Sequence, residues 1–233
     1  MPLGGPRPLP TILVASANVG KLAEFGLAPR LWGKPWEDSS LWSLEPLRAL
    51  PNLPPCSEDA GSFVGNAQKK ALHYSQFVPE FVLGDDSGLE VAALGGAPGI
   101  RSARYAGPAA TDAQNTDAQN NAKLLQELSG VPPQMRTARF VCELVLAREG
   151  KLLARFGGIA EGFILGTPRG HGGFGYDSLF LDPQLGKTFA ELPLEEKLQR
   201  SHRGKALRAL FDWLASQPPL LGDTLGGILD EPI

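Results

Sequence analysis

Cysteine is scarce in this chain, which has two, Cys56 and Cys142, among its 233 residues. The pair lacks the short spacing of a structural zinc site, so no thiolate metal centre is expected. Cys142 lies within an apolar run, which predicts a core residue rather than half of a disulfide. Unpaired cysteines are typical of a reducing compartment, and we therefore expect a cytoplasmic protein.

Excess positive charge is also lacking, because 22 lysines and arginines stand against 25 acidic residues and give a formal net charge of −3. A nucleic-acid-binding module normally carries a basic excess, so we expect no nucleic-acid partner. A ligand that bears phosphate would have to be met by a few local cations.

Long apolar runs are missing as well. No run approaches the ~20 residues that a helix needs to cross a bilayer. The opening MPLGGPRPLP has no apolar stretch of the kind found in a signal peptide. We expect no membrane association.

The chain does contain enough apolar sequence for a substantial core, with 42% apolar and 20% charged residues, a balance typical of globular proteins. We predict a loose leader over residues 1–10, a single domain over 11–215 and a C-terminal tail over 216–233. Strands and helices alternate in the first half and a run of strands follows, which favours an α/β fold with a mixed sheet.

Periodicity and turn residues locate the individual elements. The predicted strands are 11–17, 138–147, 152–160 and 178–182, with 161–165 as a candidate further strand. The predicted helices are 18–31, 62–78, 111–128, 194–198 and 201–215. Ser62 is the expected N-cap of the second helix, Thr111 or Asp112 that of the third, and residues 149–151 should form a hairpin turn. Residues 28–57 show no clear period and are predicted to be irregular.

The most informative segment runs from Leu83 to Gly107 and begins with an apolar run followed by Asp85 and Asp86. This pattern predicts a buried strand that delivers two carboxylates to a site at its end. Adjacent carboxylates repel each other, so a divalent cation is their natural partner. Glu58 and Asp59, upstream, could supply a further carboxylate. The alternative interpretation is an acidic turn after a strand.

A second candidate site lies at Ser16–Lys21, where a strand gives way to a helix. Backbone N–H groups at a helix start, together with Asn18 and Lys21, can bind an anion. The spacing is not that of a P-loop. The alternative is a plain turn with an asparagine cap and a lysine in solvent.

Two further segments could contact a ligand. The glycines of Gly170–Asp177 permit close backbone approach, and the rings of Phe174 and Tyr176 offer flat faces for a nucleobase. The segment Glu195–Leu210 presents the cationic or donor side chains of Lys197, His202 and Arg203 near a helix start. The alternatives are a glycine-rich turn with core aromatics and an exposed charged helix face.

Taken in this order, the motifs resemble those of the inosine triphosphate pyrophosphatase family. The matching stretches are SANVGK, an F..NA..KA helix, DDSGL…LGGAPGI.SARYAG, GGFGYD..F and KTFAEL..EEK…SHRGKAL, and they run from about Thr11 to about Leu214. The resemblance implies a long twisted mixed sheet flanked by helices, with two lobes and a nucleotide cleft between them. It also implies a homodimer, dependence on Mg²⁺, and hydrolysis of ITP, dITP and XTP to the monophosphate and pyrophosphate.

The resemblance also implies roles for individual residues. The implied triphosphate-binding turn comprises Ser16, Ala17, Asn18, Val19, Gly20 and Lys21, and Lys70 is expected to reach the phosphates. Glu58 and Asp86 match metal ligands, with Asp85 as the second choice, and Asp86 matches the proton acceptor. Ser87, Phe174, Gly175, Tyr176, Asp177, Lys197, His202 and Arg203 match substrate contacts. Val64 and Gly65 stand where the family commonly has two acids, which leaves the number of metal ions open.

Two other functions fit the same motifs. One is a pyrophosphatase for modified pyrimidine or methylated nucleotides, which would release the same products from a different base. The other is a catalytically silent nucleotide-binding protein, which would bind without turnover.

Overall fold

The computed structural model describes residues 11–31, 42–107 and 113–217. Its strands are β1 (Thr11–Ala15), β2 (Ser43–Pro46), β3 (Phe81–Val91), β4 (Thr137–Arg148), β5 (Lys151–Ile164), β6 (Phe180–Asp182) and β7 (Lys187–Thr188). Its α-helices are α1 (Val19–Leu31), α2 (Phe63–Tyr74), α3 (Ala113–Glu127), α4 (Leu194–Arg200) and α5 (His202–Ser216). None of the helices within these residues is long and apolar enough to cross a membrane.

The strands form one mixed sheet in the order β2-β1-β3-β4-β5-β6-β7. β1 pairs in parallel with β2 and with β3, and every later pair is antiparallel. The predicted α/β class with a mixed sheet is thereby confirmed. The predicted leader, the C-terminal tail and the candidate caps Thr111 and Asp112 lie outside the described residues.

Local signals account for several element boundaries. The Ser62 side chain accepts a hydrogen bond from the Gly65 N–H and caps α2 as predicted. The hairpin between β4 and β5 is confirmed too, since Glu149 and Gly150 both adopt positive φ, at 52° and 74°. Two other predictions are wrong: residues 161–164 continue β5 instead of forming their own strand, and the stretch expected to be irregular contributes the end of α1 and all of β2.

The core consists of two main apolar clusters on different parts of the long strands. One cluster joins β1, the first half of β3, α1 and α5, with Phe25, Leu83 and Leu210 among its members. The other joins the far end of β3 to α3 and β6, through residues such as Leu89 and Leu124. Since both clusters share β3 and β4, these strands connect the two lobes and pass beneath the space between them.

The acidic pair lies in the middle of β3, not at a strand end as the sequence predicted. β1 accompanies β3 only as far as Gly84, whereas β4 pairs with β3 from Val82 to Val91. The antiparallel partner therefore carries Asp85 and Asp86 through as strand residues. The early end of β1 is what leaves the carboxylates beside an open space.

Helix α5 approaches the sheet closely at Gly158 of β5. A β-carbon at this position would lie 2.0 Å from the carbonyl oxygen of His202 and 2.7 Å from the backbone nitrogen of Ala206. Both atoms belong to the helix backbone and cannot rotate away. The absence of a side chain at Gly158 therefore sets how closely the first turn of α5 sits against the strand.

We expect the substitution Gly158→Ala to lower the free energy of unfolding by about 1–3 kcal/mol, because the added methyl overpacks this contact. Chemical denaturation followed by circular dichroism measures the change. Gly26→Ala is the matched control, since a β-carbon on Gly26 in α1 meets nothing within 4 Å and alanine favours a helix. Equal stability of the Gly158→Ala protein and the wild type would contradict the packing argument.

Candidate active site

A cavity of about 590 Å³ opens between the two lobes, over the middle of β3. The predicted site residues that line it are Ser16, Ala17, Asn18, Lys21, Glu58, Lys70, Asp86, Ser87, Phe174, Gly175, Tyr176, Asp177, Lys197, His202 and Arg203. Val19, Gly20 and Asp85 are predicted site residues that do not line it. Segments far apart in the sequence thus meet around one space.

The turn after β1 is a capped helix start. The Asn18 side chain accepts a hydrogen bond from the Lys21 N–H at 2.9 Å, and the Ser16 hydroxyl accepts one from the Asn18 N–H at 3.2 Å. Packing explains the glycine at position 20, because a β-carbon there would lie 2.4 Å from the ring of Phe174. The sequence left open whether this turn is a plain cap or an anion site, and the structure shows a cap that also faces the cavity.

Asp85 is a fully buried carboxylate that is already neutralised. Its oxygens contact Lys21 Nζ and lie 3.7 Å from Arg203 Nε and 3.5 Å from the Cys142 thiol. Burial alone would raise the pKa of Asp85, but the positive charges of Lys21, Arg203 and Lys70 outweigh burial and hold it well below its usual value. This carboxylate therefore anchors cations beneath the cavity floor.

Asp86 is the neighbouring carboxylate, and its side chain faces the cavity. It is 6% exposed, accepts a hydrogen bond from the Asn66 amide at 3.0 Å, and makes no ion pair with any described residue. Burial raises the pKa of Asp86 above 3.8, and the nearby Lys70 and the Asn66 hydrogen bond offset this only in part. A buried carboxylate with incomplete compensation is well suited to take up a proton or a cation.

Glu58 and Lys70 lie beside Asp86. Lys70 Nζ is 2.8 Å from Glu58 Oε1 and donates to the carbonyl of Asp85 at 2.8 Å. Burial would raise the pKa of Glu58, but the charge of Lys70 brings it below 4.5. Glu58 therefore stays ionised at neutral pH.

The donors at this end of the cavity are the hard oxygens that Mg²⁺ prefers. Among the described residues no group of three or more acidic, histidine or cysteine side chains is placed to hold a metal ion. Mg²⁺, however, is commonly held by one or two carboxylates together with substrate phosphates and water. Glu58 and Asp86 fit that arrangement and do not fit a cage built from protein alone.

A buried ionic network forms the opposite wall and centres on Glu24 of α1, a residue that the sequence analysis did not single out. The Glu24 carboxylate contacts Lys197 Nζ at 2.6 Å and also Arg203 Nη1. Lys197 contacts Asp177 at 2.5 Å as well. Burial would raise the pKa of Glu24, but Arg203 and Lys197 bring it below 4.5.

This network changes the interpretation of two predicted substrate contacts. Lys197 is 2% exposed and sits between two carboxylates, so its charge is already balanced. Arg203 is 1% exposed, and its two terminal nitrogens donate to Glu24 and, at 2.7 Å, to the Ser87 hydroxyl. Both cations line the cavity, yet both are held by protein partners.

His202 has a buried side-chain nitrogen without a hydrogen-bond partner among the described residues, as Arg203 has at Nε. Its ring stacks on Phe140 with centroids 4.7 Å apart and 11° between the planes. Burial, reinforced by the charges of Arg203 and Lys197, holds the pKa of His202 well below 6.5, so the ring is neutral. Nδ1 is buried with no hydrogen-bond partner in the described part of the chain, which points to a ligand.

The aromatic segment is held by α3. The Gly175 N–H donates to Asp117 at 2.6 Å, and the Asn121 amide donates to the Gly175 carbonyl at 2.9 Å. These two side chains are one helical turn apart, and together they bind the N–H and the carbonyl of Gly175. The neighbouring Phe174 N–H donates to Asp177 at 2.9 Å, and Lys197 Nζ lies 4.8 Å from the centroid of the Phe174 ring.

Sequence reasoning missed several residues of the site. Arg104, Asp117 and Phe140 line the cavity, while Glu24 and Asn66 hold side chains that do. Asn66 lies inside the F..NA..KA motif and Arg104 inside the SARYAG motif, so position within a motif is the signal that indicates them. No sequence signal marks Glu24, because its partners are about 175 residues away.

Comparisons of the sequence with known proteins all indicate one family. The sequence model of the Ham1 family matches residues 12–213. A dITP/XTP pyrophosphatase from Geobacter sulfurreducens is 47% identical over 206 residues, which cover 88% of this chain and 97% of the relative. A dITP/XTP pyrophosphatase from Thermus thermophilus is 45% identical over 210 residues, covering 89% and 93%.

Solved structures agree with these relatives. A HAM1 protein from Coxiella burnetii superposes with a TM-score of 0.75 at 37% identity, covering 90% of this chain and all of that one. The Ham1 protein of Staphylococcus aureus gives a TM-score of 0.72 at 35% identity, covering 88% and 98%.

We expect Glu24→Gln to lower the free energy of unfolding at pH 7 by about 3 kcal/mol or more, because the change removes a buried carboxylate that pairs with both Lys197 and Arg203. Since the folded-state pKa of Glu24 lies below 4.5, its contribution is present above that pH and is lost as the pH falls through the folded-state pKa. The difference in free energy of unfolding between wild type and variant should therefore be constant above about pH 5.5 and become smaller at lower pH.

Urea denaturation from pH 3 to pH 8 measures this difference. Glu161→Gln is the control, since Glu161 is exposed on β5 and makes no ion pair with a described residue. A Glu24→Gln variant as stable as the control at pH 7 would contradict the role given to the network.

Proposed function

The chain belongs to the Ham1 family, and from this we propose that it is a nucleoside triphosphate pyrophosphatase that hydrolyses non-standard purine nucleoside triphosphates. The substrates are ITP, dITP and XTP, and the products are the nucleoside monophosphate and pyrophosphate. The observation that carries the proposal is the position of Asp86, a buried carboxylate without an ion-pair partner in the described chain, on the floor of a cavity lined by cations.

The phosphate end of the cavity is the end that holds Asp86. Around it lie the capped turn Ser16–Asn18, Lys21, Lys70 and Glu58. Backbone N–H groups at the start of α1 and the two lysines favour an anion there. A triphosphate bound in this place would present its α-phosphorus near Asp86.

Asp86 is the proposed general base. Its carboxylate takes a proton from a water molecule while the water oxygen forms a bond to the α-phosphorus, and the bond from that phosphorus to the bridging oxygen of pyrophosphate breaks. The Asn66 amide donates to one carboxylate oxygen of Asp86 and the Ser87 N–H donates to the other at 3.1 Å. Each oxygen keeps a further lone pair that can accept a hydrogen bond from the water. Asp85, buried beneath Lys21, is the second choice for this role.

Mg²⁺ is the proposed cofactor, and Glu58 and Asp86 would hold it. When bound, it supplies positive charge that neutralises the phosphates as charge moves to the leaving group. Lys21 and Lys70 supply further positive charge from the protein.

The purine base belongs at the other end of the cavity, against Phe174 and Tyr176 and beside His202. Hypoxanthine and xanthine carry a carbonyl at position 6, which accepts a hydrogen bond, whereas adenine carries an amino group there. Neutral His202, in the tautomer with hydrogen on Nδ1, would donate to the carbonyl and leave ATP unmatched. A mismatch between buried polar groups can lower kcat/KM by as much as ~10⁴-fold.

The assembly and location of the protein are also part of the proposal. We expect a homodimer, which the family resemblance implies, and a cytoplasmic location, which the two free cysteines support. The net charge of −3 supports an enzyme of the nucleotide pool rather than one that acts on nucleic acid.

With Mg²⁺ present, we expect pyrophosphate release from ITP, dITP and XTP with kcat/KM at least about 100-fold above that for ATP, because the base edge is read by hydrogen bonds. A coupled assay over ITP, dITP, XTP, GTP, ATP and dUTP measures this, and EDTA should abolish it. Preferred release from dUTP would favour the pyrimidine alternative. Binding of ITP without release from any nucleotide would favour the silent binder.

We expect Asp86→Asn to lower kcat for ITP by about 10²–10⁴-fold, because the amide cannot accept the proton of the attacking water. Glu143→Gln is the matched control, since Glu143 is paired with Asp86 across the sheet but does not line the cavity. Steady-state kinetics and a thermal melt of both variants make the comparison. Near-normal turnover by Asp86→Asn would exclude Asp86 as the base.

A further inference from the structure

Five cationic side chains of the described residues line the cavity, and they differ in what they contact. Lys21, Lys70, Lys197 and Arg203 each contact a carboxylate of the protein. Arg104 lines the same cavity and makes no ion pair with any described residue. Its one hydrogen bond in the described chain is a long one, 3.4 Å from Nη2 to the backbone carbonyl of Glu58.

The position of Arg104 is defined by its neighbours. It is the last residue of a 3₁₀ helix, Gly99–Arg104, that packs beside β3. Its guanidinium contacts the backbone of Glu58, whose carboxylate pairs with Lys70. Its positive charge is close enough to contribute to the lowered pKa of Glu58. Arg104 therefore belongs to the phosphate end of the cavity and not to the end that holds Phe174 and His202.

The exposure of Arg104 separates it from the other cations. Lys197 and Arg203 are almost fully buried, and the Lys21 and Lys70 side chains are 16% and 12% exposed. Arg104 is exposed at the rim. With the α-phosphorus placed beside buried Asp86, the rim is where the more distant phosphates would lie.

We infer that Arg104 binds the terminal phosphates of the substrate, and hence the pyrophosphate that leaves. This inference rests on the proposed function and adds a residue that discriminates triphosphates from shorter nucleotides. A guanidinium offers several N–H donors in a planar fork that matches a phosphate, and it keeps its charge at any physiological pH. No described carboxylate lies within ion-pair distance of Arg104, so most of its N–H donors are available to a ligand.

The test compares Arg104→Ala and Arg104→Lys with Arg101→Ala. Arg101 is the matched control, since it is exposed on the same 3₁₀ helix but does not line the cavity. Two constants are measured for each protein by calorimetry, namely the Kd of pyrophosphate and the Kd of inosine monophosphate. The KM for ITP is measured alongside.

We expect Arg104→Ala to weaken pyrophosphate binding about tenfold or more, as the loss of a charge-assisted hydrogen bond would do. The Kd of inosine monophosphate should stay within about twofold, because the monophosphate lacks the groups that Arg104 contacts. The KM for ITP should rise, Arg104→Lys should lie between Arg104→Ala and the wild type, and Arg101→Ala should match the wild type.

Two results would overturn the inference. One is an Arg104→Ala protein whose pyrophosphate Kd is unchanged. The other is equal weakening of pyrophosphate and monophosphate binding, which would indicate general damage to the cavity. Failure of the proposed function is a separate result, because a wild-type protein that releases no pyrophosphate from any nucleotide can still be titrated with pyrophosphate.

Discussion

The contact on which the site depends is the buried carboxylate of Glu24 held between Lys197 and Arg203. Because Glu24, Lys197 and Arg203 are all almost fully buried, loss of the Glu24 carboxylate would leave both cations short of compensating charge where water hardly reaches. The contact joins α1, which follows the first strand, to α4 and α5 near the end of the fold. It thereby brings the capped turn that precedes α1 to the same cavity as His202 and Phe174. The cost of burying these charges is offset by further partners, Asp177 on Lys197 and Ser87 on Arg203.

The second constraint is the continuity of β3. Because β4 pairs along nearly its whole length, two carboxylates stand side by side in a strand, where successive side chains point to opposite faces of the sheet. Alternation separates their environments: Asp85 meets Lys21 and Arg203 on one face and does not line the cavity, while Asp86 meets Asn66 on the other face and does line it. Neighbouring residues of the same type thus acquire opposite shifts in pKa. Such divergence is how two carboxylates come to serve different roles.

Sequence reasoning reached the α/β class, most helices and strands, and the segments that line the cavity, because each of these has a local signal. Ser62 before an apolar helix and Glu149-Gly150 between two strands are examples of such signals. The features that the sequence does not predict depend on contacts between distant segments. No local pattern indicates Glu24, and the mid-strand position of Asp85 and Asp86 is set by pairing with β4. That Arg104 has no ion-pair partner is apparent only when the described partners of the other four cations are known. The roles of Lys197 and Arg203 were open for the same reason.

The charges at the phosphate end bear on the cation of the proposed function. The three basic groups there, Lys21, Lys70 and Arg104, are matched in number by the three carboxylates Glu58, Asp85 and Asp86. Without a ligand this end is close to neutral, which favours folding because no net charge is buried. A triphosphate brings several negative charges into this site, and the described residues there, although Arg104 is unpaired, have no net positive charge with which to meet them. Under the proposed function, a divalent cation held by Glu58 and Asp86 would supply part of the missing positive charge, so the pairing that stabilises the empty cavity would also make binding of the substrate depend on the metal.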